Sequence, residues 1–152
     1  MNKATGLFLS VLSIASFILF PALAHAEEKP KIPNVVWPTQ SVSITQPFSD
    51  QHTGMDIRGK IGDPVFSVTD GKVVRASKGY NGGYGNTAVI ETADGLRFRY
   101  GQLNTLKVKT GQKVLRGQKI GTLGSSGRST GPHLHFEFLE SDKRIDPMSL
   151  YQ

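Results

Sequence analysis

The chain has 152 residues, 17 glycines, 8 prolines and no cysteine, and it carries a formal charge of +6. Its length suits one domain, and the missing cysteine excludes both a disulfide scaffold and a lipid anchor attached through cysteine. The basic balance favours anionic partners such as wall polymers or acidic glycans. Nucleic acid is not expected, because there is no dense Lys/Arg stripe and no recognition-helix pattern.

Residues 1–26 read as a secretory signal. Lys3 gives a positive start, an apolar run extends from Leu7 to Leu23, and Ala24-His25-Ala26 is a small-x-small cleavage pattern ahead of Glu27 and Glu28. An exported protein is expected, in the periplasm, the cell wall or the medium, with no stable membrane anchor once the signal is cut. Residues 27–45 form a leader in which Pro30, Pro33 and Pro38 favour an extended linker or a strap along the domain surface.

Residues 46–152 read as one folded unit of short strands and glycine turns. Pro64 to Val68 is an apolar run, and Asp70-Gly71 turns into Lys72–Ala76. The loop Gly79–Asn86 precedes Thr87–Glu91, and Asp94-Gly95 makes a hairpin into the alternating segment Leu96–Tyr100. Glycines 111, 117, 121 and 124 add further turns. The pattern predicts an all-β domain, a compact antiparallel β-sheet with little helix, acting as a monomer.

Beyond the signal, three histidines remain, in His52-Thr53-Gly54-Met55-Asp56 and Gly131-Pro132-His133-Leu134-His135-Phe136-Glu137. On a strand His133, His135 and Glu137 share one face, with the two imidazoles about 6–7 Å apart at Cα, while Leu134, Phe136 and Phe138 face the core. Gly54 and Gly59 favour a turn followed by a strand for the first motif, which brings His52 and Asp56 together. A mixed imidazole and carboxylate set with one open position suits a single Zn2+. Such an ion acidifies water and polarises a carbonyl, which points to amide hydrolysis.

Four motifs then occur in order: His-x-Gly-x-Asp, a Gly-Tyr-Gly-Asn loop, Gly-Gln-x-Val-x-x-Gly-Gln-x-Ile-Gly, and Gly-x-Ser-Thr-Gly-Pro-His-Leu-His-Phe-Glu. Over residues 46 to 148 the chain resembles the lysostaphin/LytM-type zinc endopeptidases, which cut peptide cross-links in bacterial peptidoglycan. The resemblance implies the fold of that catalytic domain, His52, Asp56 and His135 as zinc ligands, and His133 as a catalytic imidazole. Glycine bridges and links between D-alanine and a diamino acid both fit that chemistry.

One position departs from the family. A second imidazole is expected in a Tyr-x-His-Leu segment, and this chain has Tyr100-Gly101-Gln102-Leu103. Gln102 can donate to an oxyanion but cannot carry a proton, and a missing general acid/base costs about 10²–10⁴ in rate. Three readings follow: hydrolysis with His133 handling the protons, a zinc-holding module that binds wall or activates a partner amidase, or Tyr100 supplying the acid. Tyr84, Asn86 and Tyr100 are expected to border the cleft as substrate contacts. Glu137 reads as a strand-end ion pair, and Arg97 and Arg99 as a solvated face open to anionic polymer.

Overall fold

A computed structural model describes residues 34–152. The expected signal, residues 1–26, and the start of the leader lie outside the described residues. Among the described residues no helix is long and apolar enough to cross a membrane.

The ten strands are β1 (Ile44–Gln46), β2 (Met55–Arg58), β3 (Pro64–Phe66), β4 (Gly71–Ser77), β5 (Asn86–Glu91), β6 (Arg97–Leu106), β7 (Lys113–Val114), β8 (Lys119–Leu123), β9 (His133–Glu140) and β10 (Lys143–Ile145). All pairings are antiparallel, in the order β1-β2-β9-β6-β5-β4-β7, with β10 on β9 and β8 joining β3 to β6. Two 3₁₀ turns, Asn81–Gly83 and Pro147–Tyr151, supply the little helix there is. The expected all-β antiparallel architecture is the one observed.

Alternation along β9 and β6 builds the core. Leu134, Phe136 and Phe138 are buried on the inner face of β9, opposite Phe98 and Tyr100 of β6. Phe98 stacks on Phe138 at 5.3 Å, and Tyr100 meets Phe136 at 5.2 Å. Met55, Ile57 and Ile90 close the cluster from the neighbouring strands. Each such side chain contributes about 1.5–3 kcal/mol on full burial. The opposite face of β2, β9 and β6 carries the chemistry.

The described part of the leader straps β3. Val36 N donates to Val68 O at 3.0 Å and Phe66 N to Pro38 O at 2.8 Å. Trp37 packs on Tyr151 with ring centroids 4.8 Å apart.

Strand β6 holds one irregularity. Asn86 pairs with Leu103 and Ala88 with Tyr100, so two steps on β5 face three on β6. Gln102, at φ 62, takes up the extra residue. A bulge of this kind re-aims the side chains on either side of it.

Candidate metal centre and its cleft

Register fixes the centre. Asp56 of β2 lies opposite His135 of β9, and Arg58 lies opposite His133. Directly opposed residues point to the same face, with Cβ atoms about 4.5–5.5 Å apart. His52 arrives from the turn before β2, held by a bridge between Ser49 and His52. That turn presses against β9 at Gly54, where an added Cβ would collide with the Phe136 carbonyl and the Glu137 side chain. Glycine in the His-x-Gly-x-Asp motif is therefore a packing requirement.

Three ligand atoms converge. His135 Nδ1 lies 2.8 Å from Asp56 Oδ1, His52 Nε2 lies 3.3 Å from the same oxygen, and the His52 and His135 rings meet edge-on at 5.1 Å. One donor atom from each of His52, Asp56 and His135 falls within 4.8 Å of the others. Each ring is oriented from behind. His52 Nδ1–H donates to Pro47 O at 2.9 Å, which leaves Nε2 bare and facing Asp56. His135 Nε2–H donates to Glu137 Oε1 at 3.2 Å, with Nδ1 turned to Asp56. Two imidazoles, each locked by a partner behind it, and a carboxylate make a donor set that fits one zinc ion.

The charges are consistent with this. Burial pushes the Asp56 carboxyl up, but the hydrogen bond from His135 and the nearby imidazoles hold it below its ordinary value. Burial pushes His135 down, yet bonds to Asp56 and Glu137 outweigh it and the ring is pushed up to about 9.

His133 stands beside the set. Its Nδ1–H donates to Gly131 O at 2.8 Å, with Ser129 Oγ at 3.2 Å, and Nε2 lies 3.7 Å from Asp56 Oδ2. The bare Nε2 thus points into a cleft of about 550 Å³ lined by His52, Tyr84, Gln102, Ser129 and both β9 imidazoles. The strapped leader segment 34–44 lines no part of it.

Gln102 reaches the cleft wall but not as expected. Its Oε1 accepts from Gly127 N at 2.7 Å, and its Nε2 donates to Gly83 O at 2.8 Å and Arg128 O at 3.3 Å. All three polar positions join the 80–85 loop to the 124–131 loop, so no amide hydrogen is left for an oxyanion. Tyr100 is also corrected. Alternation along β6 puts it in the core beside Phe98, fully buried, with its hydroxyl accepting from Val68 N at 2.9 Å. It cannot supply an acid or touch substrate.

Asn86 is a loop clamp rather than a substrate contact. Its Oδ1 accepts from Gly79 N at 2.9 Å, and its Nδ2 donates to Leu103 O at 3.0 Å and Asn104 O at 3.2 Å. Tyr84 does line the cleft, its ring 5.6 Å from His135, with its hydroxyl donating to Glu137 Oε1 at 2.8 Å.

Glu137 is the residue that sequence reasoning undervalued. It is no strand-end ion pair: it lies inside β9 with no exposed surface, accepting from Thr53 at 2.6 Å and Arg99 at 2.7 Å as well as from His135 and Tyr84. Its place two residues after His135 on the same face was the available signal. Arg97 is taken by Glu91 and Asp142, both at 2.6 Å, and Arg99 by Glu137 and the Tyr84 ring. Both arginines are thus paired within the protein, Arg97 at the surface and Arg99 against the buried Glu137.

A His/Asp/His set with a further imidazole over an open cleft defines the class: a zinc-type hydrolytic centre on an antiparallel sheet. Residues 50–147 match the model of Peptidase family M23, and the chain belongs to that family. The His52/Asp56/His135 set is the intact zinc-binding triad typical of its active peptidases.

The chain is 46% identical over 97 residues to the peptidoglycan DD-endopeptidase ShyB of Vibrio cholerae, covering 64% of this chain and 22% of ShyB. It is 35% identical over 114 residues to the murein hydrolase activator NlpD of Escherichia coli, covering 74% of this chain and 30% of NlpD. The chain therefore spans under a third of either relative. The catalytic domain of the antimicrobial peptidase lysostaphin from Staphylococcus simulans superposes with a TM-score of 0.62 at 34% identity, covering 78% of this chain and 92% of that one.

Proposed function

We propose that this chain is a zinc-dependent endopeptidase that hydrolyses peptide cross-links of bacterial peptidoglycan outside the cytoplasm, in the periplasm or the wall. One observation carries the reading: the intact triad has beside it a histidine, His133, whose Nδ1–H is fixed on Gly131 O and whose Nε2 is free to take a proton. A zinc ion held by His52, Asp56 and His135 would acidify water and polarise the scissile carbonyl.

The rest falls to the protein. His133 Nε2 takes the proton from the attacking water and returns it to the leaving amine. Asp56, flanked by three imidazoles, stays ionised, and Glu137 keeps the His135 ring turned toward it. The Tyr84 ring walls one side of the cleft. With the Gln102 amide tied to three backbone groups, both proton transfers fall to His133 alone.

The test uses the purified chain. One zinc per chain, and new amino termini released from peptidoglycan that disappear in His133→Ala, support the proposal. Zinc binding without any release overturns it.

The saturated Gln102 and the likeness to NlpD favour a second reading, a zinc-holding module that activates a wall amidase. Glycan-peptide bonds cut only when such an amidase is added, with cross-link cutting restored by Gln102→His, would support that one.

A further inference from the structure

The chain has seven arginines, and five of them hydrogen-bond through the guanidinium to a protein oxygen: Arg75, Arg97, Arg99, Arg116 and Arg144. Among the described residues the other two, Arg58 and Arg128, make no ion pair and no side-chain hydrogen bond. Both line the catalytic groove. Arg128 lies on the arm that runs past Gly83 and Tyr84, and Arg58 on a second arm between Gln46 and Pro132. The two arms share Gln46, Asp56, Thr130 and His133, so they adjoin at one edge of the triad and form one trough.

Apart from Asp56, which belongs to the triad, no acidic side chain lines either arm. Arg58 is placed by register: it sits opposite His133 on the chemical face of the sheet, two residues beyond Asp56. Arg128 is placed by the Gln102 brace, since its carbonyl accepts from Gln102 Nε2 and its own N–H donates to Gly83 O at 2.8 Å. Both arginines thus hang from fixed backbone, are exposed, and line the trough without a protein partner for the guanidinium. A planar fork of donors fits a carboxylate.

We infer that Arg58 and Arg128 bind free carboxylates of the peptide on either side of the scissile bond, so the groove selects an acidic cross-link over a neutral one. This rests on the hydrolase reading for which bond lies between the arms. The chemistry separates the two link types left open by the motifs. A glycine bridge carries no acid of its own. A link in which D-alanine acylates the distal amine of a diamino acid with two carboxyls leaves free the carboxyl on the carbon that bears that amine, a few bonds from the cut.

The test is binding of fluorescent cross-linked peptides to the zinc-loaded chain, read by anisotropy. The probes are a D-alanine–diamino acid link with free carboxyls, the same link with those carboxyls as primary amides, and a capped pentaglycine. At low salt the acid form should bind about fivefold more tightly for each arginine, between an exposed ion pair and a charge-assisted bond, and the gap should close as salt rises. Arg58→Gln and Arg128→Gln should each remove part of the gap, and the double variant should bind acid and amide alike. Lysine at either position should keep part of it.

Equal affinity for acid and amide in the natural chain overturns the inference. So does a gap that survives in the double variant, since the ion would then be reading the acid. Peptide cutting is scored separately by new amino termini. Discrimination without cutting would sink the hydrolase reading and leave the carboxylate site standing.

Discussion

Glu137 Oε1 lies 3.2 Å from Nε2 of His135, while Nδ1 of the same ring lies 2.8 Å from Asp56 Oδ1. The imidazole is therefore held between two carboxylates, one at the metal centre and one buried behind it. Partners of this kind fix the tautomer and ring angle of a ligand, and their loss lowers metal affinity about 10–100-fold. Glu137→Gln keeps an acceptor for the His135 N–H but drops the charge. Zinc affinity, measured by competition with a chromogenic chelator, should fall within that range. An unchanged affinity would show that Glu137 serves packing alone.

Glu137→Ala should do more. It leaves the Arg99 guanidinium, 2.7 Å away, without its carboxylate, and removes the acceptor for Thr53 and Tyr84. Breaking one side of a buried ion pair costs about 3–5 kcal/mol. Urea unfolding of the zinc-free protein should show a loss of that order, where Glu137→Gln shows a smaller one.

Acidity and metal should act on stability in opposite senses. Without an ion, His135 is raised from 6.5 to about 9, because its bonds to Asp56 and Glu137 outweigh burial. Its protonated form is thus favoured by folding. That stabilisation is full below about pH 6.5 and is lost as pH rises through about 9. With zinc, His135 must serve as a neutral ligand, so affinity improves over the same interval. The melting temperature in EDTA should fall between pH 6.5 and 9, while the gap between zinc and EDTA curves widens. Parallel curves would refute this.

The same linkage runs the other way in acid. Burial pushes the Glu137 carboxyl up, but His135, Thr53, Arg99 and Tyr84 together hold it at about 2. It stabilises the fold above the ordinary carboxylate range, and that contribution fades as pH falls from about 4.5 toward 2. Glu137→Gln should flatten the acid limb of the stability profile.

The triad was legible because histidine is scarce and strand alternation is simple. His133, His135 and Glu137 fall on one face of β9, and Leu134, Phe136 and Phe138 on the other, as period two requires. The hairpin at Asp94-Gly95 was equally local, since Gly95 at φ 81 needs only its own turn. Tyr100 and Gln102 were misread for a physical reason. Period two assigned them one face, and the positive φ of Gln102 resets the alternation between them. Nothing in a Tyr-Gly-Gln-Leu string announces a bulge, because the bulge is defined by where β5 pairs. Glu137 escaped for the opposite reason: its partners come from positions 53, 84, 99 and 135, and only the folded sheet collects them.

Gln102 supplies the last prediction. Its amide bridges two cleft loops, with the Gly83 and Arg128 carbonyls on one end and the Gly127 N–H on the other, beside a second tie in which Ser126 Oγ accepts from Asn86 N at 2.9 Å. The loops touch so closely that a Cβ on Gly127 would strike the Gly83 carbonyl, so the brace holds a dense contact. Gln102→Ala removes three hydrogen bonds worth about 1 kcal/mol each and leaves the Gly127 N–H short of a partner. Stability should fall by about 2–4 kcal/mol, and the Gly127 amide should lose hydrogen-exchange protection well before β9 does. A single imidazole in place of the amide cannot meet both carbonyls and the N–H at once. Gln102→His should therefore loosen the same amide, whatever it does to cutting, because the chain has given this position to holding the cleft wall.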